Sequence, residues 1–362
     1  MTTPRVPQMR TPHAELVALS ETDISDVACF IAIQSGRPRE KVDSHLRWFL
    51  LENPAHYPGG PLGFGLRSGS QLVGCILCSP QTFRIEKKQI LLMGSSSFYV
   101  DDSCRGHGGR IFLQYCRLAM EWPLFGTSAN AEAAALWKAA GAKPIPGSNG
   151  ELFGVLRWAP VVEEFAHRKN PSRALSRLAG TPVSNLVSRI RPLKIDGGKS
   201  GALQPLSSAE QVAELLTENF STKLTATRDL PYIRWRYFSG RDATTAVFAF
   251  RNRASDRGNM VTVNQRPRGY REQINTLNVL DVFPEATPEE WLRIAGALAE
   301  RYRKVVDAIV LRGLDPEWQK IFCDRGFRWR AFDAPNGWWL DRFNLLPPHD
   351  CYFVPADGDG LI

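Results

Sequence analysis

The chain has 362 residues, of which 43% are hydrophobic and 23% charged, so it is long enough for two or three domains with sizeable cores. No apolar stretch approaches the length of a membrane-spanning helix, and the polar N-terminal residues lack the apolar region of a secretory signal, so we expect a cytoplasmic protein. Eight basic residues and one acid lie between Ala166 and Ser200, and this segment holds most of the net charge of +8. That concentration indicates a basic linker rather than a nucleic-acid-binding domain, which spreads its basic face over a folded scaffold.

The seven cysteines are scattered, and their one close pair, Cys75 and Cys78, lies within an alternating apolar run. Residues three apart on a strand point to opposite faces, so these two thiols are not placed to share a metal ion. We expect buried, apolar cysteines in a reducing compartment, and we expect no metal cofactor.

The pattern of the first half predicts one α/β unit. Its predicted elements are helices within 17–51, strands over 62–67, 72–78 and 90–100, a glycine-rich turn, a helix over 109–120, a strand over 124–128, a helix over 130–140, and closing strands near 144 and over 152–158.

The second half predicts the same order of elements. They are a helix over 207–220, an aromatic and basic helix end over 232–238, strands over 245–251, 259–264 and 273–283, a helix over 288–302, a strand over 307–311, a helix over 315–325 and a strand over 338–343. Thr287 and Pro288 are a typical cap and first residue for the long helix. We infer a duplicated fold whose second copy lacks a glycine-rich turn after its long strand.

The expected fold class is therefore α/β (α+β), with two tandem domains that each hold a mixed sheet flanked by helices. The predicted segments are a disordered tail over 1–14, an N-terminal domain over 15–165, a basic linker over 166–204, a C-terminal domain over 205–345 and a tail over 346–362. The linker is interpreted as a solvated segment packed against one domain. Peripheral contact with an anionic membrane surface is the alternative, and nucleic acid is the least favoured partner.

The most informative motif begins where a predicted strand ends at Val100. The chain then enters the turn Arg105-Gly106-His107-Gly108-Gly109-Arg110. A glycine-rich turn before a helix exposes backbone N–H groups at the positive end of the helix dipole, where a phosphate is stabilised. Downstream, Asn130 stands at the start of a short predicted helix that ends at Gly141. The two pieces predict a site for a phosphate-bearing cofactor.

These residues resemble the GNAT N-acetyltransferase superfamily. The positions that match its pyrophosphate loop and its downstream pattern are Arg105, Gly108, Asn130, Ala133 and Gly141. The sequence departs from the pattern at Arg110, where a small residue is usual, at Trp137, where tyrosine is usual, and at Ala142, where an aromatic is usual. The resemblance covers about residues 15–160 directly, and about 205–345 only through the order of elements.

The resemblance implies an acyl-CoA co-substrate, with acetyl-CoA expected, lying between two central strands that splay apart. The implied cofactor-binding residues are Phe98, Tyr99, Val100, Arg105, Gly106, His107, Gly108, Gly109, Arg110 and Asn130. Asn130 would contact the cofactor arm or cap the helix that follows, and the two roles are compatible. No catalytic acid or base is assigned, because the strand before the turn carries no acid and Trp137 cannot act as a general acid.

Two such units in one chain resemble the tandem GNAT-like acyltransferases of bacterial polysaccharide biosynthesis and, more distantly, the FemAB-type aminoacyl transferases. The resemblance implies an acyl-CoA-dependent N- or O-acyltransferase with a sugar or polysaccharide precursor as acceptor. The alternatives are a FemAB-like aminoacyl transferase and a non-catalytic, acyl-CoA-binding scaffold.

For the acceptor, the second half offers Arg234, Trp235 and Arg236. Arginine forks suit carboxylate or phosphate groups, and an aromatic face suits a sugar ring. The alternative is a packed helix with snorkelling arginines. We expect the acceptor to enter a cleft between the two copies, because such clefts commonly form binding sites.

Overall fold

Two mixed β-sheets, each flanked by helices, make up the protein, and the predicted fold class is confirmed. The structure is a computed structural model that describes residues 14–85, 87–169, 193–195, 201–216, 223–239, 244–252, 258–269, 272–343 and 352–357. The predictions for 1–13, for most of the basic linker and for 346–351 and 358–362 lie outside the described residues.

The first sheet carries most strands of the first half. With strands numbered along the chain, it contains β1 (Glu15–Leu19), β2 (Gly63–Ser68), β3 (Gln71–Ile85), β4 (Lys88–Val100), β5 (Leu124–Gly126), β6 (Lys143–Pro144), β9 (Thr225–Ala226) and β15 (Trp338–Leu340). Their order is β1-β2-β3-β4-β5-β15-β6, with β9 beside β3. Within the described ranges, β4 and β5 form the one parallel pair of this sheet.

The second sheet repeats this plan. It contains β7 (Gly150–Val155), β8 (Gly201–Pro205), β10 (Thr245–Asn252), β11 (Gly258–Arg268), β12 (Ile274–Phe283), β13 (Ala308–Leu311) and β14 (Arg328–Ala331). Their order is β14-β7-β13-β12-β11-β10-β8, and β12 with β13 is the parallel pair. The parallel pair thus occupies the same place in both sheets, as a duplication requires.

Each half gives strands to the sheet of the other half: the first half gives β7, and the second half gives β15 and the short β9. β7 lies between β13 and β14 in the second sheet, and β15 lies between β5 and β6 in the first. The expectation that 152–158 closes the first sheet and 338–343 the second is therefore wrong. A run of buried apolar residues specifies a strand, but it carries no information about which sheet accepts that strand. The exchange means that each sheet is completed by the other half of the chain.

The helices cover the faces of the two sheets. Their bounds are α1 (Ile24–Ser35), α2 (Arg39–Leu46), α3 (Gly108–Arg117), α4 (Ala131–Ala139), α5 (Trp158–Lys169), α6 (Ala209–Leu215), α7 (Leu230–Ile233), α8 (Pro288–Tyr302) and α9 (Gln319–Asp324). The prediction for α8 is confirmed, since Thr287 and Glu290 cap it reciprocally. The mostly helical prediction for 17–51 is wrong at its start, where β1 pairs with β2. Among the helices described, none is both long and apolar enough to cross a membrane.

Two tryptophans join the halves by equivalent contacts. Trp48 lies in a π-helical turn after α2, and Trp235 lies in a π-helical turn after α7. The Trp48 indole N–H donates to the Trp235 carbonyl at 3.0 Å, and the Trp235 indole N–H donates to the Trp48 carbonyl at 2.9 Å. Their rings stack with centroids 5.5 Å apart. The two halves therefore meet through equivalent and reciprocal contacts at this position.

The cysteine prediction is confirmed for Cys75 and Cys78. Both are buried on β3, and they pack into two different apolar cores on opposite faces of the sheet. Burial raises the pKa of the Cys75 thiol to about 12, so it is neutral at physiological pH.

Candidate active site

The parallel strands β4 and β5 separate after a short stretch of pairing. β5 pairs with β4 only beside Met93 and Gly94. From Ser95 to Val100, β4 stays paired with β3 around a bulge, where Ser97 adopts a left-handed φ of 50°. The other backbone edge of this segment faces a gap, which we call the β4–β5 opening. The splayed strands implied by the family resemblance are therefore present.

A cleft of ≈ 1820 Å³ extends from the β4–β5 opening to the second sheet. The first half contributes α1, α2, the end of β4 and the start of α3, and the second half contributes β11, β12 and residues after β13. Among the described residues, the charged ones lining the cleft are Arg37, Lys41, Arg105, Arg266, Arg268 and Arg312, and Glu40, Asp102 and Glu132. Because the basic residues outnumber the acidic ones, the cleft favours anionic ligands.

The glycine-rich turn is tighter than the sequence suggests. Residues Asp102–His107 form a 3₁₀ turn that leads directly into α3. Within it, the Cys104 N–H donates to the Asp101 carbonyl and the Gly108 N–H donates to the Arg105 carbonyl. These two amides are therefore used inside the turn, so the phosphate-binding capacity of this segment rests on the first turn of α3.

The glycines of this turn are not required by the fold itself. None of Gly106, Gly108 and Gly109 has a positive φ. A Cβ atom would meet nothing within 4 Å at Gly106 or Gly109, and at Gly108 it would lie 3.5 Å from Val100 in ordinary contact. Gly108 and Gly109 line the cleft, whereas Gly106 does not. At the two cleft positions, neither backbone conformation nor packing requires glycine, and the absence of a side chain leaves room beside the first turn of α3.

The predicted cofactor residues divide into two groups. Those that line the cleft are Phe98, Tyr99, Val100, Arg105, Gly108, Gly109 and Asn130. Gly106, His107 and Arg110 lie outside its lining, and Arg110 turns back to the Ala14 carbonyl at 3.3 Å. Asn130 caps α4 by accepting the Ala133 N–H at 2.8 Å. The cap role of Asn130 is therefore present, and the cofactor roles stay predictions.

The three residues predicted to meet the acceptor, Arg234, Trp235 and Arg236, lie outside the lining of the cleft. Trp235 and Arg236 are buried at the contact between the halves, and Arg234 pairs with Glu210 at the surface. Aromatic and basic residues occur together both in packed turns and in binding sites, so the sequence was compatible with both interpretations. Arg47 and Trp48 repeat the Arg-Trp pair of 234–235 in the first half, and this repeat was the sequence signal for a packed turn.

His45 is a cleft residue that the sequence analysis missed. It stacks on Phe49 with centroids 5.8 Å apart, and its buried Nε2 has no hydrogen-bond partner among the described residues. Burial, together with the charges of Arg236, Arg37 and Arg266, lowers its pKa to about 4. His45 is therefore a neutral imidazole at physiological pH. In the sequence, His45 stands two residues before the repeated Arg-Trp pair, and this position was the available signal for it.

The opposite wall carries an arginine cluster that was also missed. Glu151, on the exchanged strand β7, is fully buried and accepts contacts from Arg268, Arg312 and Arg330 at 2.8, 2.8 and 2.6 Å. These charges lower the Glu151 pKa, against the effect of its burial, and so hold the carboxylate ionised. A single acid inside a buried strand was the available sequence signal. No group of three or more His, Cys, Asp or Glu is placed to hold a metal ion in the part of the chain that the structure describes.

Known structures share this architecture. The chain is similar to a GCN5-related N-acetyltransferase from Anabaena variabilis, with a TM-score of 0.56 at 10% identity over 90% of this chain and 72% of that one. It is also similar to Saccharomyces cerevisiae N-myristoyltransferase with bound myristoyl-CoA, with a TM-score of 0.55 at 12% identity over 94% of this chain and 81% of that one. A probable N-acyltransferase from Enterococcus faecalis gives 0.52 at 10% identity, over 90% and 72% of the two chains.

Sequence comparisons add no further relative. No protein-family model matches the chain, and no curated protein matches it. The structural likenesses show the fold, which is that of GCN5-related N-acetyltransferases repeated in tandem. The fold expected from the family resemblance is thereby confirmed.

Proposed function

We propose that the protein is an acyltransferase that takes its acyl group from an acyl-CoA, with acetyl-CoA as the donor, bound at the β4–β5 opening. The observation that carries this proposal is the separation of β5 from β4 after Gly94, which leaves Ser95–Val100 lining the cleft next to two cleft glycines that the fold does not need. The fold supports it, since a structural neighbour is an N-myristoyltransferase with myristoyl-CoA bound.

The chain's own groups suit the parts of an acyl-CoA in order along the cleft. Gly108 and Gly109 leave room for a pyrophosphate beside the first turn of α3. The edge of β4 from Val100 back to Ser95, which β5 does not pair, borders the cleft beside the amide-containing arm. In this proposal, the thioester would lie where β4 and β5 pair, at Met93 and Gly94.

The place where the two strands rejoin is closed by aromatic rings, which favours a short acyl group. Phe125, beside Gly94, packs against Phe83 and Phe353 with centroids 5.5 Å from each. Trp339 lies 5.9 Å from Phe353. All four side chains are buried. A long acyl chain would have to displace this packed cluster, whereas an acetyl group would not.

The chemistry requires an attacking amine or hydroxyl of the acceptor to lose a proton. His45 lines the cleft as a neutral imidazole and can accept that proton. A pKa of about 4 makes it a weak base, so we assign most of the rate enhancement to positioning of the two substrates. We propose a sugar or polysaccharide precursor as the acceptor, on the family resemblance alone.

Calorimetric titration with acetyl-CoA tests the proposal. We expect micromolar binding to the unchanged protein and a loss of more than about 100-fold in Gly109→Leu, because the new side chain fills the space of several charge-assisted contacts. Gly106→Leu is the matched control, since Gly106 lies in the same turn but outside the cleft, and it should bind normally.

The alternatives are outcomes of the same titration followed by an acyl-transfer assay. No binding at millimolar acetyl-CoA would overturn the proposal and favour an aminoacyl transferase with a charged tRNA as donor. Tight binding that never leads to release of free CoA thiol, with any amine or hydroxyl acceptor, would favour the non-catalytic scaffold.

A further inference from the structure

The wall of the cleft opposite the β4–β5 opening belongs to the second half of the chain. Arg266 and Arg268 at the end of β11, Asn278 on β12 and Arg312 after β13 line it. None of these positions was singled out by its sequence, and none takes part in the cofactor site proposed above.

Glu151 accepts a hydrogen bond from one nitrogen of each of two of these guanidinium groups. Arg268 contacts Glu151 through Nη1, and Arg312 contacts it through Nε. The other nitrogens of these two side chains have no hydrogen-bond partner among the described residues. A guanidinium anchored at one nitrogen is fixed in orientation and still presents donors to a second group.

The cluster carries more positive than negative charge. Three guanidiniums surround the Glu151 carboxylate, and they outnumber carboxylates by three to two even when the neighbouring Glu164, next to Gly269, is counted as ionised. Burial and the charges of Arg312 and Arg330 lower the pKa of Arg268 despite its contact with Glu151. This excess of positive charge, at side chains that are partly shielded from solvent, favours the binding of a further anion.

A second, independent observation points to a polar ligand on the same wall. The Asn278 side chain donates to Asn264 Oδ1 at 3.1 Å, while its own buried Oδ1 has no partner among the described residues. An unpartnered buried acceptor in a cleft wall suits a hydroxyl or amine of a bound molecule.

We propose that Arg268 and Arg312 form a subsite for an anionic group, a carboxylate or a phosphate, on the acyl acceptor. The identification of the ligand as the acyl acceptor rests on the proposed function, whereas anion binding at this site is separable from acyl-CoA binding. Arg268 and Arg312 are 21% and 35% exposed at their side chains, so they are accessible from the cleft and partly shielded from solvent. An anion seated there would be held between the second sheet and the acyl donor.

The test is calorimetric titration with glucose 6-phosphate, glucuronate and glucose, which share a ring and differ in charge. We expect either the phosphate or the carboxylate probe to bind at least about tenfold more tightly than glucose, and the tighter of the two identifies the anion. Arg268→Gln and Arg312→Gln should each weaken that probe about 10- to 100-fold. Arg312→Lys should lie between, because it keeps the charge and loses the fork.

Arg330→Gln is the matched control, because Arg330 also contacts Glu151 but lies outside the cleft lining. It should bind the anionic probe normally. Equal binding of glucose and both charged probes would overturn the subsite. So would an equal loss in Arg330→Gln and Arg312→Gln, which would make the cluster purely structural.

Two cross-titrations separate this inference from the proposed function. Arg312→Gln should still bind acetyl-CoA, and Gly109→Leu should still bind the anionic probe. Loss of the probe in Gly109→Leu would mean that the sugar phosphate binds at the start of α3, and it would overturn the subsite while leaving the cofactor site intact. Failure of acetyl-CoA binding with a preserved anion site would overturn the proposed function alone.

Discussion

The two halves of the molecule share a fold, and they differ at the place where their parallel strands separate. In the first half, the β4–β5 opening is empty of protein and joins a large cleft. In the second half, β12 and β13 also separate after Asn278, but residues 352–357 pack there. The Tyr352 hydroxyl donates to the Val282 carbonyl at 2.6 Å, and the Phe353 carbonyl lies against Gly313.

The ends of the two long strands differ in the same sense. β4 leads into a turn with glycines that nothing in the fold requires. β12 ends instead in a buried ion pair, where Arg228 contacts Asp281 at 3.0 Å and the Tyr237 hydroxyl donates to the same carboxylate. One copy therefore keeps space for a ligand, and the other fills the equivalent space with its own side chains and a C-terminal segment. Under the proposed function, the first copy holds the cofactor site and the second sheet forms the opposite wall of the cleft.

The largest expected effect concerns the buried ion pair of the second half. Asp281→Ala leaves the Arg228 charge buried without its partner, so we expect a loss of about 3–5 kcal/mol in the free energy of unfolding. Urea denaturation measures it. Acetyl-CoA affinity of the folded variant should stay unchanged, and a parallel loss of affinity would mean that the second copy takes part in cofactor binding.

The next effect depends on pH and on His45, whose counterpart in the second half is Tyr232. The pKa of His45 is lowered from 6.5 to about 4 in the folded protein. Between these pH values the unfolded chain therefore binds a proton at His45 and the folded chain does not. Stability should therefore fall as the pH drops from about 6.5 to about 4, by roughly 3 kcal/mol at most. Subtracting the stability curve of His45→Gln isolates this contribution. Identical pH dependence in both proteins would show that His45 titrates normally.

A smaller effect tests the symmetry of the contact between the halves. Trp48→Phe and Trp235→Phe each leave one carbonyl without its indole donor and reduce the stacked area, so each should cost about 1–3 kcal/mol. The two losses should be similar, and a double-mutant cycle should show coupling between them. Markedly unequal or additive losses would argue against equivalent roles.

The smallest effect concerns two helix caps, one in each half of the chain. Asn130→Ala and Thr287→Ala each remove a side chain that accepts a backbone N–H, so each should cost about 1 kcal/mol of stability. Asn130→Ala should also leave acetyl-CoA affinity within about twofold if the cap is its whole role. A larger drop in affinity, measured by calorimetry, would assign Asn130 a direct contact with the cofactor.

Local signals predicted local structure well. Short stretches of sequence predicted the cap and first residue of α8 and the start of α3 at the glycine-rich turn. They also predicted the duplicated order of elements. The exchange of β7 and β15 was not predictable, because strand pattern does not encode the partner strand. The acceptor-side residues were missed for the same reason. Arg268 and Arg312 stand 44 residues apart in the sequence, and both of their guanidinium groups contact Glu151 on the exchanged strand β7.

The most direct test of the account is a crystal structure of the protein with acetyl-CoA. We expect the cofactor along Ser95–Val100 with its pyrophosphate at Gly108 and Gly109, and residues 352–357 still packed between β12 and β13. Acetyl-CoA bound between β12 and β13, with the C-terminal segment displaced, would contradict the account, because it would make the second copy the cofactor-binding half.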